Sequence, residues 1–573
     1  MKNKILEIQS MMESETLAAK VAEMWMRWNS ARRVWLDEKL EIRNYVFARD
    51  TTHTTNSKNP HSNKTTRPKL CQIRDNLHAN YMAALYPGDQ WLRWEGFALE
   101  DEEYNKVKAV KAYMSSKVKE SSFRETLSRL VYDYIDYGNA FGEVVYENSV
   151  YKDEDGEEIT RYVGPKLVRV SPMDIVFDPT AVHFDNTPKI MRSIKTLEVI
   201  KGLGNSGVYK KVLDYRAKLS EFRPEDVDKA SAYSIDGFGS YTEYLNSGYA
   251  EVLYLLGDVY DPTDNKTYPN YEIAVVDRKW VVYKKPNPSW LGKSQIIHVG
   301  WRLRPDNLYG MGPLDNLVGM QYRIDHIENL KADILDFISW PLLKIRGDVE
   351  DFDWVPGAKA FCREDGDVSI IPVDSSVLIA NNEIAALEQS MEEMAGAPRQ
   401  AMGIRTPGEK TAFEVGALEN AAGRIFQDKT VNFEVNFIEP ALNRMLETAR
   451  RNINAVDVVR TMDDDLGAVA FLSITKEDLS ARGKIRPVGA RHFSARAELV
   501  QNLNGVFNSR LGEIVLPHIQ GKNISRMLED AFDWDRYSLF QDNAQLFEQA
   551  KTAKLANVVQ EDVLASGATS TDL

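Results

Sequence analysis

The chain has 573 residues, a net charge of −14 at neutral pH, and is 43% hydrophobic and 27% charged, the make-up of a globular protein with several domains and a large core. No apolar run approaches the roughly 20 residues of a membrane-spanning helix, and the start MKNKILEIQSMMESE lacks the apolar stretch of about 7–15 residues found in secretory leaders, so neither a membrane partner nor export is expected. Two cysteines, Cys71 and Cys362, are too few for a zinc site or a disulfide framework and suit a reducing cytoplasm, while the acidic balance argues against a tight nucleic-acid clamp but not against DNA that slides past weak contacts.

In chain order, Leu17, Val21, Met24, Trp28, Ala31 and Trp35 recur at spacings of three and four, which predicts one amphipathic helix or two within residues 5–50. The stretch 51–68, TTHTTNSKNPHSNKTTRP, is polar and aperiodic, a loop or a contact arm. Helix is expected from Lys69 to Tyr86, where Pro87-Gly88 stops it, and over 101–136, where Gly138-Asn139 ends it. Phe141 to Tyr146 reads as a strand and 161–178 as strand, turn, strand. Residues 194–235 read as mostly helical. Alternation then predicts antiparallel strands at 251–260, 271–276 and 280–283. The fold class is α+β.

The stretch Tyr309-Gly-Met-Gly-Pro313 and the helix after it organise the rest. Gly310 and Gly312 predict a flexible turn, and Pro313 suits the first position of a helix, where a missing N–H costs nothing. Leu317, Met320, Ile324, Ile327, Ile334, Leu335 and Ile338 then form an apolar stripe, interrupted at Lys331 and ended by Trp340-Pro341. Short strands come next at 342–347 and 368–372, then a helix over 379–395. A Pro/Gly-rich loop spans 396–410. A second long helix is expected from Thr411 towards Glu439, kinked or ended by Pro440, then strands at 456–460 and 468–475 and helix over 494–550. Between Ile379 and Pro440 ten acids face five bases, a local net of −5, and three of those bases sit in the loop 396–410. Clustered cations in acidic surroundings suit a polyanion touched at a few points.

Catalytic signatures are missing. Residues 287–294, NPSWLGKS, loosely resemble a phosphate-binding loop but lack its first glycine, and Pro288 removes a backbone donor. There is no GxSxG elbow and no HExxH pair, and the eight histidines are scattered. Asp463-Asp464-Asp465 reads as a solvated loop before a strand, and Cys362 has no neighbouring histidine. No enzyme activity, metal or cofactor is expected.

The order of elements resembles the portal proteins, or head-to-tail connectors, of tailed double-stranded DNA bacteriophages, particularly the short-tailed type. Asn63-Lys-Thr-Thr-Arg-Pro-Lys-Leu-Cys-Gln-Ile-Arg-Asp-Asn-Leu77 running to Tyr86-Pro87 is similar to that family's first wing helix. Val170-Ser-Pro-Met-Asp-Ile-Val-Phe-Asp-Pro179 is similar to its strand–turn motif, Tyr309-Gly-Met-Gly-Pro313 with Gln321 to the start of its first stem helix, and Thr411-Ala-Phe-Glu-Val415 to the helix after its tunnel loop. The resemblance covers roughly residues 60–500. It implies a wing over 1–312, a stem helix over 313–340 beginning at Gly310, Gly312 and Pro313, a clip over 341–378, a second stem helix over 379–395, a tunnel loop over 396–410, a return to the wing over 411–493, and a helical crown over 494–573.

It further implies a homo-oligomeric ring, usually a dodecamer, at one capsid vertex of the virion, assembled in the host cytoplasm among capsid and scaffolding proteins. Double-stranded DNA would pass through the ring, touched by Arg399, Gln400, Arg405 and Lys410. The clip surface, Asp348, Glu350, Asp351, Asp353 and Trp354, would dock the terminase large subunit and later the adaptor and tail proteins. Another virion component, or a terminase or nuclease, is the alternative; the latter needs a nucleotide loop or carboxylate cluster that the sequence does not offer.

Overall fold

Alternating apolar side chains build the sheet on which the rest packs. The computed structural model describes residues 5–8, 10–47, 63–86, 92–96, 101–152, 158–202, 210–214, 227–235, 249–352, 359–363, 365–372, 379–396, 424–453, 457–462, 469–474, 479 and 483–487. In β7 (Tyr249–Asp261), Val252, Tyr254 and Leu256 point to one face and Leu253 and Leu255 to the other, and all five are buried. A strand buried on both faces needs a layer on each side. The sheet runs β5 (Ile175–Phe177), β6 (Lys189–Thr196), β7, β8 (Lys266–Val276), β9 (Trp280–Pro286), all antiparallel. The predicted hairpins of this block are therefore present.

Two elements of this sheet depart from expectation. Residues 189–196 form an inner strand whose last three residues fall in the stretch 194–235 expected to be mostly helical; α6 (Leu197–Gly202) and α7 (Val227–Ile235) come only after it. Lys189 and Arg192 break the apolar run in sequence but are buried, Lys189 lying over the Phe184 ring and donating to the Phe184 carbonyl at 2.7 Å. At the N-terminus, β1 (Leu6–Glu7) pairs parallel with β7 before the helices begin. The predicted N-terminal helix is two, α1 (Ser14–Ala31) and α2 (Arg33–Val46). Between them the buried Arg32 donates to the carbonyls of Pro172, Met173 and Ile175 at 2.6–2.7 Å.

A second sheet, β10 (Ile296–Gly300), β3 (Asn139–Lys152) and β4 (Glu158–Val170), lies against the first. Phe141 and Val170 pack between the sheets, whereas Ala140, Val144 and Leu167 face the helical side. That side holds α3 (Lys69–Leu85), α4 (Asp101–Glu120) and α5 (Phe123–Asp136). The layers are thus helix, sheet, sheet, helices, with α1 covering the far face of the larger sheet. β2 (Leu92–Gly96) pairs with β17 (Gly483–Pro487), and β15 (Asp457–Met462) with β16 (Val469–Ile474).

Gly310 and Gly312 are not a flexible turn. Gly310 lies within β12 (Asn307–Met311), which pairs with β11 (Arg302–Arg304). A Cβ on Gly310 would meet the Gly138 carbonyl at 2.7 Å, and one on Gly312 the Ile135 carbonyl at 2.4 Å. These glycines permit close backbone approach. Pro313 does not open the helix either. Residues 313–317 are turns, because Asp315 folds back to accept the Gly312 amide at 3.0 Å and to pair with buried Lys39. Helix begins at Val318.

The expected kink at Pro440 also takes another form. Arg424–Phe433 (α10) continues through a π-helical turn, Glu434–Ile438, into α11 (Glu439–Asn452), with Pro440 in its first turn. The wider turn reroutes the bonds that proline cannot donate, so the rod is not broken. The parts of this helix and of the crown predicted over 411–423 and 494–550 lie outside the described residues. No described helix is long and apolar enough to cross a membrane.

Candidate assembly interface

The helix that organises the chain, α8 (Val318–Ser339), has 22 residues and is about 33 Å long. Its N-terminal part is seated by an unusual device. Gln321, Asp325, Asn329 and Asp333 recur every four residues and so share one face. An extended segment, residues 63–68, runs along that face and is bonded side chain to backbone. The Asn63 amide donates to Asp333 (2.8 Å), the Thr65 amide to Asn329 Oδ1 (2.7 Å) and the Arg67 amide to Asp325 (3.0 Å). Asn329 Nδ2 donates back to the Thr65 carbonyl (3.1 Å), and Gln321 Nε2 to the Arg67 carbonyl (2.6 Å).

Two geometries make this register work. Four helical residues rise about 6.0 Å, and two extended residues about 6.6 Å. Each second residue of the segment therefore meets each fourth residue of the helix. By composition alone, 63–68 reads as the end of a polar loop, with nothing to assign it a partner. The four-residue spacing of amide and carboxylate side chains on α8 was the available signal.

The second rod, α9 (Asn381–Ala395), sits beside the first. Arg323 pairs with Glu383 (3.0 Å), Lys331 donates to Asn381 (2.6 Å), and Arg67 bridges Glu328 and Glu388. Lys69 and Glu392 form a buried pair at 2.6 Å. One partner left without the other in such a pair is a large penalty, which holds the base of the two rods to α3.

Beyond this base the character changes. Between Ile334, 9% exposed, and Ile384, 3% exposed, no described residue is buried. The segment contains the end of α8, a two-stranded ribbon of β13 (Leu343–Arg346) and β14 (Asp367–Ile370), and the start of α9. Ten large apolar side chains stand exposed on it, among them Leu335, Phe337, Ile338, Trp340, Phe361 and Ile379, at 44–73%. An isolated two-stranded ribbon is marginal in water, and exposed apolar surface on this scale marks an interaction site.

No protein-family model and no curated protein matches the chain.

The predicted site residues lie in three places. Asp348, Glu350 and Asp351 are exposed on this arm, Asp348 pairing with Arg363 at 3.0 Å; a pair so open to water contributes little. Asp353 and Trp354 lie outside the described residues, as do Arg399, Gln400, Arg405, Lys410 and the triad Asp463-Asp464-Asp465. Gly310 and Gly312 are packed on the Gly138 turn, and Pro313, buried, opens the turn that precedes α8. Cys362, exposed, belongs to the arm through a bridge to Val349. In the loop 287–293 the Trp290 amide donates to Glu447 (2.9 Å), so a carboxylate of the chain takes that donor. No group of three or more metal-ligating side chains occurs among the described residues.

Proposed function

We propose that this chain is the subunit of a phage portal, a ring at the capsid vertex through which double-stranded DNA is packaged and ejected. The observation that supports it best is the arm between Ile334 and Ile384. It is a helix–ribbon–helix extension with apolar residues but no buried core among its described residues. Such a segment is satisfied when copies of itself pack side by side around a ring, each arm covering the next. The braced base of α8 suits that role, because a seated rod presents its free end in one orientation.

On this reading the arm supplies the stem and clip, and its acidic tip, with Asp348, Glu350 and Asp351, docks the terminase and later the tail adaptor. The net charge of −14 per subunit gives a strongly acidic ring, in which DNA slides instead of being gripped. Arg399, Gln400, Arg405 and Lys410 supply the few transient contacts. The energy for packaging comes from a separate ATPase.

The test is direct. Negative-stain images and mass measurements of the purified chain should show closed rings with a central hole, of about twelve copies. Shells, tubes, or a chain that stays monomeric at every concentration would overturn the proposal.

A further inference from the structure

Between the two sheets lies a cavity of about 360 Å3, within the size range of small-molecule sites. It is lined by Glu143 of β3, Tyr254 of β7, Glu272 of β8 and Lys195 of β6. Strand alternation brings them to this face, since Glu143 follows Phe141 at the two-residue period. None of these residues belongs to the arm, so the site stands apart from the assembly reading.

The charges on its wall sort into matched and unmatched. Arg169 is held on Asp133 by two bonds of 2.5 and 2.6 Å, and Arg192 is held on Asp174 at 2.9 Å. Each of those pairs cancels. Glu272 accepts a bond from the Tyr283 hydroxyl, and half-exposed Lys285 lies 3.9 Å from its other oxygen, too far for a hydrogen bond and open to water, so it offsets that charge only in part. Glu143 and Tyr254 are different. Tyr254 is only 8% exposed, and among the described residues neither its hydroxyl nor the Glu143 carboxylate has a hydrogen-bond partner. Glu143 itself is partly buried, and a carboxylate and a hydroxyl without a protein partner on one cavity wall can each take a hydrogen bond from a ligand.

We propose that this cavity binds an organic cation, an alkylammonium or guanidinium group, whose N–H donors bond the Glu143 carboxylate and the Tyr254 hydroxyl while Glu272 adds the second negative charge. An anion would meet two carboxylates, with Arg169 and Arg192 already committed to Asp133 and Asp174 and only Lys195 and the loosely held Lys285 in its favour. A neutral ligand would leave the two carboxylates repelling each other.

The electrostatics agree. Burial, reinforced by Glu272 and opposed by Lys195, pushes the Glu143 carboxyl up to about 7. Of the other groups facing it, Arg169, Arg192 and Asp174 are paired, and burial holds the Tyr254 and Tyr283 hydroxyls far above neutrality. Glu143 is therefore the group whose charge changes near neutral pH. Cation uptake favours its ionised form, so binding releases a proton and tightens as pH rises.

Agmatine, which carries a guanidinium and an ammonium, is the probe. Calorimetric titration of the full chain should show saturable binding that tightens about tenfold from about pH 6 to about pH 8, with proton release into the buffer. Glu143→Gln should weaken it at least about tenfold, and Tyr254→Phe several-fold, with melting of both variants unimpaired. Agmatine binding no tighter than that of inorganic phosphate, or unchanged in Glu143→Gln, would overturn the proposal. Two supporting outcomes separate the source of the natural cation. Binding to single chains but not to assembled protein means that a basic side chain of a second copy fills the cavity; binding to both means a free amine.

Discussion

The arm offers the sharpest test of the proposed association between copies. Leu335 and Ile338 lie three apart on one face of α8, and Trp340 comes at its end; they are 49%, 46% and 67% exposed. Fully burying a Leu or Ile side chain contributes about 2 kcal/mol, and a Trp about 3 kcal/mol. Scaled by the surface still open, the first two each offer about 1 kcal/mol and Trp340 about 2 kcal/mol to a neighbouring copy. Their joint replacement, Leu335→Gln, Ile338→Gln and Trp340→Ser, should weaken each contact by about 4 kcal/mol, roughly a thousandfold in association constant. Glutamine keeps the helix propensity, and none of the three is buried within the chain, so the melting of the single chain should hardly move. Sedimentation velocity across a concentration series reads the first effect and thermal unfolding under dissociating conditions the second. A triple variant that assembles with unchanged concentration dependence would refute the reasoning. So would a large loss of single-chain stability, which would show that the arm packs on its own body.

The bonded register along α8 predicts that Asn329→Leu strips partners from both the amide and the carbonyl of Thr65 and destabilises the chain by about 3 kcal/mol, read by denaturant unfolding; a change below about 0.5 kcal/mol would mean that water replaces the side chain. Acid sensitivity should trace to His298, which donates to Asn139 at 2.9 Å and stacks on Phe141. Burial, with Lys189 nearby, pushes it from 6.5 down to about 3, so the unfolded chain binds the extra proton between those values and stability falls as pH drops through that window. His298→Gln should flatten the pH dependence of unfolding over the same range. Replacing Arg399, Arg405 and Lys410 together by alanine should impair DNA packaging or retention while rings still form; packaging at normal efficiency would remove these residues from the channel reading.

Periodicity makes the large pattern readable. The apolar stripe from Leu317 to Ile338, the stop at Pro341, the two short strands and the helix after them all announce themselves through spacing, and all are present, the strands paired with each other. What spacing does not settle is the purpose of a residue type with two uses. Glycine serves both sharp turns and tight backbone contacts; Gly310 and Gly312 look like the former in sequence and are the latter in the fold. Lysine and arginine normally mark solvent, so β6 is hidden by Lys189 and Arg192, whose charges are met inside the fold by a carbonyl and by Asp174. Of the candidate site, the acidic tip at Asp348, Glu350 and Asp351 is legible as exposed. The bracing of α8 is not, because its partners lie more than 250 residues earlier in the chain.

That bracing and the open arm answer to one physical requirement. A helix satisfies its own backbone, so it can extend past the body of the protein without leaving peptide groups bare. It cannot fix its own direction. Direction comes from whatever grips its base, and here the buried apolar contacts of Ile324 and Ile327 are joined by a polar, directional grip: the side chains at 321, 325, 329 and 333 each read the backbone of residues 63–70. An apolar seat would bury area as well but would let the rod rotate or slip by a turn, since such contacts carry no direction. Hydrogen bonds at matched spacing fail together if the register shifts by one residue. The polar base therefore fixes the angle at which Leu335, Ile338 and Trp340 are offered, and an interface repeated around a closed ring requires that angle to be the same in every copy.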